Sequence, residues 1–127
     1  MDSAALAGNS AALPRIIFFV IVGAGFGEET IWRGFLFERL RSVLGRAGMA
    51  QIATIAVTSI LFGAAHLHDQ GWPGAVQATI SGLVFGTAFA RLGRIWPVII
   101  AHAALDLTAV LFIYSNLEEP VSHLIWR

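Results

Sequence analysis

Two adjacent carboxylates sit inside an apolar run, and that placement limits what the chain can become. Ile16 to Phe26 carries no charged side chain. Glu28 and Glu29 follow, and then Ile31, Trp32, Phe35, Leu36 and Phe37. A carboxylate at the centre of a membrane span costs roughly 2.5–3.5 kcal/mol on insertion scales, so an ionisable group there points to a function. Arg33 lies four residues after Glu29, which puts the two on one helix face and lets them pair. Glu28 is turned about 100° away on an α-helix and has no local partner. One carboxylate is thus positioned by an arginine, and the other is free for chemistry. The structural alternative is a Glu–Arg pair closing a soluble amphipathic helix.

Composition decides for the membrane. The 127 residues are 57% hydrophobic and 13% charged, where an ordinary soluble domain is about one quarter charged. Formal net charge is zero, so there is no basic field for nucleic acid. The absence of cysteine excludes disulfides and thiolate zinc sites.

The length fits a single domain over 1–127, and the expected fold class is all-α: a polytopic membrane helical bundle of about four transmembrane helices. A short polar lead-in precedes Pro14, which suits the first turn of a helix. The first helix is expected over about 13–44. The second runs over about 49–67 and ends at the polar break around His68, Asp69, Gly71 and Pro73. The third covers about 74–92, where Gly82 and Gly86 form a small-xxx-small pair that predicts a close helix contact. Trp96 and Pro97 open the fourth, about 96–115, and 116–127 is a tail. Arg39, Arg41, Arg46, Arg91 and Arg94 cluster near the first and third connections, against Arg15 and Arg127 on the other side. By the positive-inside rule, loops 45–48 and 92–95 face the cytoplasm. The expected location is a bacterial cytoplasmic membrane, with the lipid bilayer as the surrounding partner.

Inside the apolar segments the strongly polar side chains are few: Glu28, Glu29, Arg33, His66, Gln77, His102 and Asp106. Phe62 lies one helical turn before His66, and His102 one turn before Asp106. Helices one, two and four each carry a polar patch, and a bundle interior is where such patches meet. Gln77 reads as a helix–helix hydrogen bond. A glutamate and a histidine facing one water can activate it. A second histidine, oriented by an acceptor such as Asp106, can donate to a developing oxyanion. Glu28, His66 and His102 could instead bind Zn2+ with a position left for water. Depth is the demanding part. Glu28 and His66 lie about 24 Å and about 27 Å along straight helices from the cytoplasmic ends, but His102 only about 8 Å beyond Pro97. Convergence requires the fourth helix to start below the surface, which Gly93 and Pro97 allow.

These residues resemble the CPBP family of intramembrane proteases, which includes the type II CAAX prenyl endopeptidase and the abortive-infection and bacteriocin-processing proteins. The family's motifs are E-E-x-x-x-R, F-x-x-x-H and H-x-x-x-N or a related residue. Here they read Glu28–Glu29 with Arg33, Phe62 with His66, and His102 with Asp106. The resemblance spans 28 to 106. It implies that Glu28 and His66 activate water, that Glu29, Arg33 and Phe62 support them, and that His102 and Asp106 form the oxyanion site. It implies a membrane protein or peptide as substrate; with Glu28 as the base that activates water, no cofactor is required, and Zn2+ held by Glu28, His66 and His102 is the alternative. Asp106 stands where the CAAX endopeptidases have Asn, so a carboxylate replaces a neutral donor. The competing readings are an inactive bacteriocin-immunity or scaffold protein and a small proton or ion pathway.

Overall fold

The structure, a computed structural model, describes residues 6–117. The predicted tail beyond 117, with Arg127, lies outside the described residues. Among the described residues every regular element is helical, as expected.

Helix α1 runs unbroken across the predicted 13–44, but it is not α-helical throughout. α-Helical Leu13–Phe18 passes into π-helical Phe19–Glu28 and Thr30–Phe37, and α-helical winding returns at Glu38–Leu44. The wider i→i+5 winding therefore surrounds the paired glutamates, and π-bulges are frequent at functional sites. Gly45, at φ 112°, ends the rod.

Gly48–Leu92 is two helices meeting at a break. Gly71 adopts φ 65° and ψ −169°, a conformation open to glycine, and Pro73 then restarts the helix. The arms are α2 (48–70) and α3 (72–92), close to the two predicted helices. Gly93, left-handed at φ 63°, caps α3, and α4 is Trp96–Tyr114. Gly48–Leu92 and Trp96–Tyr114 are long and apolar enough to cross a membrane, with mean hydropathies of 1.6 and 1.9.

Helices α2 and α3 pack through small residues, as the Gly82–Gly86 spacing predicts. A Cβ at Gly82 would come within 3.0 Å of the Ser59 backbone, whereas one at Gly86 would meet Ile55 at an ordinary 3.5 Å. The tighter contact is at Gly63, where a side chain would run into Thr79. The buried hydroxyls of Thr54, Thr58 and Ser59 bond back to carbonyls of their own helix, which satisfies them without water.

Helix α4 lies antiparallel along α1 and starts part-way up it. Ile95 packs against Gly34, Trp96 stacks tilted on Phe26 at 6.1 Å, and Ala103 fills the space beside Gly25. Farther along, Val110 packs with Val20 and Leu6, and the Gly8 N–H reaches the Tyr114 carbonyl at 3.1 Å. The last turns of α1 thus extend beyond the start of α4. That offset gives His102 the depth the sequence argument demanded.

Candidate active site

The centre of the bundle is built on Glu29. Its side chain is 0% exposed, and its Oε1 accepts hydrogen bonds from Arg33 Nη1 at 2.8 Å and from His102 Nδ1 at 2.7 Å. Arg33, 2% exposed, also donates through Nη2 to the Gly82 carbonyl at 3.3 Å. Its guanidinium lies 4.9 Å from the centre of the Phe62 ring and 5.7 Å from that of Phe85, where an aromatic face favours a cation. One buried arginine therefore ties α1 to α2, α3 and, through Glu29, to α4. The predicted Glu29–Arg33 pair is present. The partner that orients His102 is different from the one expected: Asp106 Oδ2 stays 3.7 Å from His102 Nε2, beyond hydrogen-bond range, and Glu29 holds the ring instead.

His66 is set in the same manner. Its Nδ1 lies 2.8 Å from the Phe62 carbonyl one turn earlier. A carbonyl only accepts, so Nδ1 carries the proton and Nε2 presents a lone pair. That Nε2 lies 3.8 Å from Glu28 Oε2. The Phe62 ring lies edge-on to His66 at 4.5 Å and to His102 at 6.1 Å, and so fills the space between the two imidazoles.

Glu28, His66, His102 and Asp106 all line one cavity of about 850 Å³. Its other walls differ in character. Phe19, Val20, Ala109 and Ile113 make an apolar side between α1 and α4, while Gln77 and Ser81 of α3 make a polar one. The helix–helix hydrogen bond expected of Gln77 is not formed, and among the described residues Gln77 has no hydrogen-bond partner. Nothing local in the sequence separates a glutamine that bridges helices from one that faces a cavity. Glu29 and Arg33 lie behind the cavity, not on its wall.

Two Nε2 lone pairs and two carboxylates are donor types that suit zinc, and each imidazole is held through Nδ1 as ligating histidines are. Among the described residues no three His, Asp or Glu side chains come close enough together to hold a metal ion.

The apolar, all-helical chain thus gathers carboxylates and histidines on the wall of one cavity. The family model for type II CAAX prenyl endopeptidase Rce1-like proteins matches residues 10–108, and the chain belongs to that family. The match takes in Glu28, Glu29, Arg33, Phe62, His66, His102 and Asp106, and stops short of Ala109 and Ile113 on the cavity wall. No curated protein and no solved structure gives a match.

Proposed function

We propose that the protein is an intramembrane endopeptidase that hydrolyses a peptide bond of a membrane protein or peptide with a glutamate-activated water. The observation that carries this reading is the pairing of Glu28 Oε2 with His66 Nε2 at 3.8 Å on the wall of a large cavity. Two acceptors at that separation can share one water. Glu28 takes a proton from it while the His66 lone pair accepts its second hydrogen, and the water oxygen bonds to the scissile carbonyl carbon. When the C–N bond breaks, the proton held by Glu28 passes to the leaving amine. His102 and Asp106 flank the reacting group. All four helices cross the bilayer in this reading, and loops 45–48 and 92–95 lie in the cytoplasm.

The test is cleavage of labelled membrane peptides by the purified protein in nanodiscs. The wild type is expected to cut, and Glu28→Gln, which keeps the shape and removes the base, to abolish cutting. A folded Glu28→Gln protein with near-normal turnover would end this account. Loss of activity with a chelator, reversed by zinc, would replace the proton-transfer role of Glu28 with a ligand role.

A further inference from the structure

A hydrogen bond fixes one point of an imidazole, and the plane of the ring needs a second constraint. His102 has the first in Glu29 Oε1, 2.7 Å from its Nδ1. The second comes from α3. The Phe85 ring lies 5.2 Å from the His102 ring, centre to centre, with the planes inclined by only 32°, which is an offset stack. The Phe62 ring stands at 88° to His102 and 6.1 Å away, so it meets the imidazole at a right angle. The far nitrogen is not tied: Asp106 Oδ2 is 3.7 Å from Nε2, beyond hydrogen-bond range. His102 lines the cavity, whereas Phe85 is buried and does not.

Phe85 serves a second group as well. The Arg33 guanidinium lies 5.7 Å from the centre of its ring, and Arg33 Nη2 donates to the carbonyl of Gly82. Residues three apart share a helix face, so α3 presents one carbonyl and one ring to the Glu29, Arg33 and His102 cluster. An oxyanion needs donors. With the Nδ1–H committed to Glu29, a second N–H at Nε2 makes the His102 ring cationic. An aromatic face favours that cation as it favours the guanidinium, and an aliphatic side chain of similar size only fills the space. In the sequence Phe85 is one more apolar residue between Gly82 and Gly86.

We propose that Phe85 is a positioning residue of this site: the face of its ring sets the plane of His102 so that Nε2 points at the oxyanion, and favours the charge the imidazole carries as it donates. Glu29 fixes one end of the imidazole and Phe85 its plane. This rests on the endopeptidase reading, in which His102 flanks the reacting group.

Phe89 supplies the control. It is buried in the same apolar cluster one turn further along α3, and it packs edge-on against Phe37 at 5.3 Å. In nanodiscs, Phe85→Leu should lower kcat roughly 10-fold with KM little changed, the scale of one desolvated cation–π contact. Phe89→Leu takes the same atoms from the same core, so it should cost comparable stability and leave kcat as it is. Phe85→Met, which fills much of the volume without a ring face, should match Phe85→Leu and stands in for it if that variant does not fold. Phe85→Tyr, which keeps the face, should restore turnover. In a His102→Gln background Phe85→Leu should have no further effect on kcat, because the two act as a unit. Equal falls in kcat for Phe85→Leu and Phe89→Leu, or an undiminished effect of Phe85→Leu without His102, would overturn the assignment. A second readout needs no substrate: the 15N-coupled Nδ1 proton of His102 should exchange with water faster in Phe85→Leu than in the wild type or Phe89→Leu. Equal exchange in all three proteins would also overturn it. A wild type that cuts no peptide, with the faster exchange confined to Phe85→Leu, would count against the protease reading and uphold the positioning of His102.

Discussion

Glu29 and Glu38 stand nine residues apart on α1, and each is paired with arginine, yet the two do different jobs. Glu29 and its Arg33 are 0% and 2% exposed, and beyond their own pair they reach Gly82, Phe62 and Phe85 on other helices and His102. Glu38 is 35% exposed and holds Arg41 at 3.0 Å and Arg46 at 3.3 Å, which pins the turn after α1 to the end of the helix. Sequence spacing alone treats the two sites alike. Burial separates them: Glu38 and Arg46 at 35% and 67% exposed can exchange partners with water, although Arg41 is only 11% exposed, and the fully buried pair cannot.

The largest expected effect follows from that contrast. Arg33→Ala leaves the Glu29 carboxylate buried beside His102 with no cation, and breaking a buried pair from one side costs about 3–5 kcal/mol. Thermal unfolding in detergent should show a large loss, with cleavage lost as well. A Glu29→Leu/Arg33→Leu protein should recover part of the stability, because both charges are gone, but not the activity, because His102 is no longer held. If Arg33→Ala unfolds like the wild type, Glu29 is not the buried anchor described above.

The next effect separates two neighbouring glutamates. Glu29→Gln keeps an acceptor for the His102 N–H but removes the charge that binds Arg33, so both stability and turnover should fall, stability by about 1–3 kcal/mol. Glu28→Gln should abolish cleavage with an unchanged unfolding temperature, since Glu28 makes no hydrogen bond that holds helices together. Equal stability losses in the two variants would erase the distinction between a catalytic and a positioning carboxylate.

Much of the site was readable in one dimension because its pieces are local. Glu29 with Arg33 and Phe62 with His66 are i,i+4 pairs, and a helix brings such pairs together whatever the rest of the chain does. The break at Gly71 was legible in Asp69, Gly71 and Pro73 for the same reason. What escaped is tertiary. The bond from His102 to Glu29 spans 73 positions, and the sequence offered Asp106, one turn away, as the nearer candidate. The tight contact at Gly63 depends on Thr79 of the facing helix, so the more regular Gly82–Gly86 spacing drew attention first. The π-helical winding of α1 left no mark in the apolar pattern, which continues through it unchanged.

The smallest expected effect lies at the other end of the comparison. Glu38→Gln should remove the ionic part of both contacts, but Arg46 is 67% exposed and can be hydrated in place, and the half-buried Arg41 keeps an amide oxygen as acceptor. Pairs of this kind contribute about 0–1 kcal/mol, and salt screens them. The variant should therefore unfold within a few degrees of the wild type at low salt and indistinguishably at 1 M, where the screening length is about 3 Å. Cleavage should be unchanged, since Glu38 does not line the cavity. Arg33→Ala, measured beside it, should keep its penalty at 1 M because ions do not reach that pair. A salt-independent loss in Glu38→Gln as large as that of Arg33→Ala would show that partner count, not burial, sets the worth of an ion pair on this helix.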